Sequence, residues 1–273
     1  MRTLYLVNEK GQTYFLDHRS QTLISSLDGI GFEFDCEHQK YDNTYLVVNK
    51  SIPLQEMSLE LIFLRGYLGY REWSDFVSSS VEMRLFYTSD VTKFCYVNIK
   101  SSSKGELEGN AIKSKVVIER LSLWIVKRSS EISVEEDTSK KLYPYPYGYT
   151  YSISYNGRKS ITNQSNFAAP VKVVITGAVN NPRLTIEKDG EPIARLQLFV
   201  VDSNCRLEVE ANPTNQYMKK FKNNVETDIY DLQNFEYENF LYLPSGTYDF
   251  YFEPGVSRFT KCTIITYEGY IGN

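Results

Sequence analysis

"RLTIEKDGEPIARLQLFV", Arg183 to Val200, sets the fold class. Two strand-forming runs flank Asp189-Gly190, a dipeptide suited to the positive φ angles of a two-residue hairpin loop. The pattern continues on either side. "VKVVITG" (Val171 to Gly177) precedes it and "RLEVEA" (Arg206 to Ala211) follows. "FLYLPSGTYDFYFEPG" (Phe240 to Gly255) is strand, Pro/Gly turn, strand, and "KCTIITYEGY" (Lys261 to Tyr270) is the last strand. "QYMKKFKNN" and "DIYDLQNF" each fit a helical turn. Short strands broken by turns about every ten residues predict a β-sandwich.

The N-terminal half reads as β with one helix. "TLYLV" (Thr3 to Val7), a turn at "NEKG" (Asn8 to Gly11) and "QTYFL" (Gln12 to Leu16) form a hairpin. "GFEFDCE" (Gly31 to Glu37) alternates, with Phe32, Phe34 and Cys36 expected on a dry face. Strands follow at "TYLVVN" (Thr44 to Asn49) and "MSLELIFL" (Met57 to Leu64). In "GYREWSDFVSSS" (Gly69 to Ser80) the period changes: Tyr70, Trp73, Phe76 and Val77 make the apolar stripe of a short helix lying on a sheet. "MRLFYT" (Met83 to Thr88), "KFCYVNIKS" (Lys93 to Ser101) and "KSKVVIERLSLWIV" (Lys113 to Val126) complete this half as three strands.

A chain of 273 residues exceeds the usual single-domain size of roughly 100 to 200 residues, which predicts two domains. The charged run "KRSSEISVEEDTSKK" reads as an exposed segment leading into "KLYPYPYGYTY" (Lys141 to Tyr151). Each proline there fixes its own φ and pushes the preceding tyrosine toward extended geometry. Tyr143, Pro144, Tyr145, Pro146 and Tyr147 are therefore expected to form a stiff interdomain joint. The expected division is 1–130, a connecting segment at 131–150, and 151–273.

Composition narrows the function. A net charge of −4, spread over both halves, lacks the positive excess that binding to phosphate backbones requires. Cys36, Cys95, Cys205 and Cys262 are widely spaced, without CxxC, and fit free thiols in a reducing cytosol. The first residues lack the sustained apolar core of a secretory signal, and no run of about 18 apolar residues offers a spanning helix. The expectation is a soluble chain made in the cytoplasm, without a membrane partner.

Chemistry-bearing residues are sparse. His18 and His38 are the only histidines. "DCEH" brings Cys36 and His38 two residues apart, with no second ligand pair at matching spacing, so packing or surface roles are expected rather than a metal site or a nucleophile pair. The carboxylates of "EED" (Glu135 to Asp137) and "EYE" (Glu236 to Glu238) read as solvated charge, and "GYLG" (Gly66 to Gly69) lacks the spacing and Lys-Ser/Thr pair of a phosphate loop. Trp73 and Trp124 read as core residues. No catalytic, cofactor-binding or metal-binding residue is expected, and no enzyme activity.

The order of these features resembles the distal tail protein of siphophages infecting Gram-positive bacteria. The likeness rests on the N-terminal hairpin, the "GYREWSDFVSSS" helix after "LIFLRG", the strand into "LSLWIVK" (Leu121 to Lys127) and the Tyr/Pro joint. It continues through "GAVNNPRLTIEKDG" (Gly177 to Gly190) to "NFLYLPSGTYDFYF" (Asn239 to Phe252). The resemblance implies a mainly β fold: an N-terminal β-sandwich-like ring domain with one short helix, and a C-terminal galectin-like β-sandwich. It further implies a homo-hexameric hub at the distal tip of a virion or prophage-derived tail. That hub would join the tail tube protein to the tail-tip protein, anchor receptor-binding or other baseplate components, and let DNA pass its channel without specific binding.

A carbohydrate-binding pair, with the C-terminal sandwich holding host cell-wall glycan, is the other reading. A complete galectin set of His, Asn, Arg, Trp and Glu cannot be placed on that half, which has no Trp or His after Trp124.

Overall fold

The computed structural model describes residues 3–137, 154–256 and 258–272. The five residues of the expected joint, Tyr143 to Tyr147, lie outside them. The chain divides into two compact units, Met1–Val126 with Tyr270–Asn273, and Lys127–Gly269.

The first unit is built on β1 (Thr3–Asn8), β2 (Thr13–Phe15), β3 (Thr22–Asp28), β4 (Asp35–Tyr41), β5 (Thr44–Ser51), β6 (Gln55–Phe63), the helix α1 (Gly66–Ser78), β7 (Met83–Thr88), β8 (Thr92–Ser102), β9 (Leu107–Glu108) and β10 (Ala111–Arg120). β11 (Trp124–Ile132) opens at its end. Antiparallel pairings run β2-β1-β7-β8-β10-β6-β3, with β9 beside β10. The N-terminal hairpin forms as expected, with Tyr5 opposite Phe15. Its turn is organised by buried Asn8, whose Oδ1 accepts the backbone N–H of Lys10 at 3.1 Å and of Gln12 at 2.9 Å.

The helix also forms, one turn earlier than the stripe suggests. Trp73 is buried on it, with Tyr70, Phe76 and Val77 packed around the same core. Its indole N–H donates to Ser102 Oγ at 3.0 Å. Ser79 and Ser80 hydroxyls donate back to the Phe76 carbonyl at 3.1 and 2.7 Å, offering the last turn an alternative to further helix.

Three expectations for this half are corrected. The alternating strand at 31–37 begins only at Asp35, and Phe32 is exposed. β4 and β5 pair only with each other, and apart from partly buried Cys36 every residue of the two strands is exposed, so neither face is dry. The single strand expected over 113–126 is two. At the break, Leu121 N–H bonds the Tyr96 carbonyl at 2.8 Å while Ser122 Oγ accepts the Tyr96 N–H at 3.0 Å, so a side chain replaces one ladder bond. Trp124 therefore begins β11 rather than ending a strand; it is buried, as expected of a core residue.

Residues 127–137 of the charged run after Val126 fall in the second unit and are largely strand rather than a bare connecting segment, with exposed and buried positions alternating at their end. Ile132 and Val134 are buried in the core of that unit, and β12 (Glu135–Asp137) pairs with β13 (Ser154–Asn163). The strands continue as β14 (Ala169–Asn180), β15 (Arg183–Lys188), β16 (Glu191–Gln197), β17 (Val201–Glu210), β18 (Tyr217–Lys222), β19 (Val225–Asp228), β20 (Tyr242–Leu243), β21 (Gly246–Glu253) and β22 (Lys261–Tyr270). One sheet has the order β19-β18-β17-β14-β22, with β20 beside β14. The other is β12-β13-β21-β15-β16.

Val171, Val173, Ile175, Leu207 and Ile264 of the first sheet share one buried cluster with Ile161, Leu184, Ile186, Phe250 and Phe252 of the second, so the sheets face each other as a sandwich. The β15–β16 turn falls at Asp189 and Gly190, both with positive φ (52° and 86°). "QYMKKFKNN" is corrected from a helical turn to strand β18 and its turn at Asn223 and Asn224. "DIYDLQNF" does contain a single 3-10 turn, Tyr230–Leu232.

Candidate functional site

Catalytic chemistry would need convergent polar groups in an enclosed cavity. The thiols Cys95, Cys205 and Cys262 are buried and free. Burial pushes Cys95 up to about 12 and raises Cys205 and Cys262, which leaves them protonated and inert at neutral pH. Cys36 and His38 sit on the β4–β5 ribbon, with His38 in solvent. Among the described residues no group of three or more His, Cys, Asp or Glu side chains is arranged to hold a metal ion. No described helix is long and apolar enough to cross a membrane.

The charged groups of the second unit instead brace its outer sheet face. Lys172 Nζ lies 2.8 Å from Glu208 Oε2 and donates to the Tyr217 hydroxyl at 2.6 Å. That hydroxyl donates to Glu208 Oε2 at 2.9 Å, and Arg206 Nε reaches Glu208 Oε1 at 3.0 Å. Burial raises Glu210, whose Oε2 accepts the Tyr267 hydroxyl at 3.0 Å. These bonds tie β14, β17, β18 and β22 together across a sheet face. They stiffen this face of the sheet.

A shallow groove of about 400 Å³ on this unit is lined by Pro192, Ile193, Ala194, Arg195, Glu236, Tyr237 and Glu238. The Arg195 guanidinium sits 5.5 Å from the Tyr237 ring centroid, so a cation already occupies one side of its only aromatic ring. The glycan reading gains no stacking platform there.

The conspicuous surface belongs to the first unit. Every residue of Thr44–Ser51 is exposed, including Tyr45, Leu46, Val47 and Val48, and Tyr41 stands in solvent on the facing strand. A lone two-stranded ribbon is marginal in water, and a continuous apolar run on one marks a surface for a partner. Sequence reasoning placed the β5 strand but gave no sign of its exposure, because an uninterrupted apolar run looks the same whether it is covered within the chain or by another molecule.

Comparison with known proteins gives this surface a context. Residues 3–121 match the family model described as distal tail protein, N-terminal domain. No curated protein matches by sequence. Among solved structures, a chain of the phage P2 baseplate in its activated conformation with Ca superposes at TM-score 0.73 and 10% identity, covering 100% of both chains. The same baseplate with Sr gives the same values. SPP1 Dit, described as a paradigm of hub adsorption apparatus in phages infecting Gram-positive bacteria, superposes at TM-score 0.62 and 8% identity. It covers 98% of this chain and 99% of that one. At these identities the superpositions carry the fold alone, and the family match concerns residues 3–121.

Proposed function

We infer that this chain, a Dit-like distal tail protein and so a structural hub component of a phage baseplate, closes into a homo-hexameric ring at the distal tip of the tail. The ring joins the tail tube protein to the tail-tip protein and carries receptor-binding or other baseplate components. DNA passes its channel without specific binding, for which a net charge of −4 is suited because it offers phosphates no net attraction.

The observation that carries this reading is the family match over residues 3–121, the stretch that contains the exposed β4–β5 ribbon. A heterologous contact repeated around a rotation axis closes into a ring and covers such a surface in every copy. The chain acts as a scaffold, and assembly and passage are its mechanism. The C-terminal sandwich, which we read as galectin-like, presents the braced outer sheet face to baseplate neighbours.

Light scattering on the purified chain over a concentration series, with negative-stain microscopy, tests the ring. The expected result is a mass of six or twelve chains and annular particles. A monomer in isolation that stays monomeric when mixed with tail tube and tail-tip proteins would overturn the reading.

A further inference from the structure

We propose that the tip of the β4–β5 ribbon seats in a groove beside Arg120 on a second copy of this chain; the inference rests on the hub reading and names the contact that builds its ring. Ile52, Pro53, Leu54, Leu121 and Leu123 line this groove of about 380 Å³ with Arg120. Leu54 and Leu121 stand at its rim, 60% and 56% exposed.

Arg120 is the unusual member. It is only 4% exposed, and its guanidinium donates to two neutral acceptors, the Gly31 carbonyl and Gln55 Oε1. Among the described residues no carboxylate lies within ion-pair distance of it, so the charge is desolvated without a counter-charge. A carboxylate arriving in the groove with apolar flanks would supply one while the rim leucines lose their water.

The ribbon tip has that composition. Tyr41 pairs with Thr44 across the turn, which holds Asp42 at φ 54° at the very end. Exposed Tyr41 and Tyr45, at 72% and 66%, stand on the two strands that lead into and out of this turn, and Leu46 follows. A second charge match lies alongside. Beyond Leu54 a neighbouring groove is lined by Asp28, Glu33 and Glu56, and Lys40 stands two residues from Asp42 on the ribbon. Asp42 facing Arg120 and Lys40 facing Asp28 and Glu33 fix the direction of docking as well as its place. Tip and groove are different surfaces, so the contact is heterologous and propagates from copy to copy.

The test is photo-crosslinking of the full chain carrying p-benzoylphenylalanine at position 41, beside Asp42→Lys and Leu121→Glu in the otherwise native chain. Both substituted side chains are exposed, and an unchanged thermal melt verifies folding. The expected result is an interchain adduct mapping to residues 52–54 or 121–123, and self-association weakened about tenfold or more in each variant. Mixing the two variants should give dimers and no rings, since one intact tip meets one intact groove. Rings whose adducts map elsewhere, or variants that assemble like the native chain, would overturn this contact and leave the hub reading standing. Absence of any adduct at millimolar chain would overturn the contact whatever the ring does.

Discussion

Lys222 Nζ lies 2.8 Å from Asp202 Oδ1, while Lys220 Nζ approaches Oδ2 at 2.6 Å, so a nearly covered carboxylate on β17 is held between two ammonium groups of β18. The two lysine hydrogen bonds, with the backbone N–H of Asn204, hold the Asp202 pKa far below its ordinary 3.8. A depressed folded pKa contributes stability that is complete above the unfolded value and is lost as pH falls through the folded one. Asp202→Asn should therefore cost roughly 1–3 kcal/mol at neutral pH. In denaturant unfolding the gap between native and variant should be full above the ordinary aspartate value, narrow progressively below it and close completely only in stronger acid. A gap independent of pH down to strong acid would contradict this assignment.

Two glycines with similar backbone angles should respond differently to the same change. Gly255 has φ 88°, and a Cβ there would stand 2.1 Å from the Asn180 carbonyl oxygen; Gly190 has φ 86° and nothing within 4 Å. Gly190→Ala should lose about 1 kcal/mol from left-handed backbone alone, whereas Gly255→Ala must also displace a strand carbonyl and should lose more than about 2 kcal/mol. Thermal melts of the two variants decide it, and equal shifts would show that the loop at Gly255 relaxes freely.

How far this fold can be read from residues depends on what each side chain faces. The β15–β16 turn was legible because Asp189-Gly190 reports a backbone requirement directly, and α1 because Trp73, Tyr70 and Phe76 repeat at helical spacing. β18 was not, since Lys219, Lys220 and Lys222 spoil any apolar alternation; their partners are Glu226 on β19 and Asp202 on β17, far off in sequence or hidden by charge. The break at Leu121 to Leu123 carries no Gly or Pro, only the hydroxyl of Ser122 taking a ladder position. At the candidate assembly surface, apolar Tyr45 to Val48 announced a strand but not its exposure, and Arg120 in a run of strand residues gave no hint of lacking a carboxylate.

Trp73 anchors α1 to the sheet of the first unit. Trp73→Ala should destabilise that unit by about 3–5 kcal/mol, through lost burial and an unfilled cavity. Ser102→Ala removes the acceptor of the indole N–H and should cost about 1–2 kcal/mol. Chemical denaturation followed by tryptophan fluorescence measures both. Equal effects would show that the hydrogen bond, not the packing, holds the helix in place.

The ribbon should behave in the opposite way. Leu46→Ser with Val48→Ser alters two exposed side chains and should shift stability by no more than about 0.5 kcal/mol. The same pair should reduce self-association measured by sedimentation. A large loss of stability would mean that the ribbon is covered within its own chain, contrary to its exposure here.

The central claim concerns where the chain works, and labelling tail particles with a gold-tagged antibody against it tests that most directly. Label confined to the tail end farthest from the head, one cluster per particle, is the result expected of a distal hub. Label along the whole tube, on the head, or absent from particles whose assembly survives deletion of the chain would contradict it.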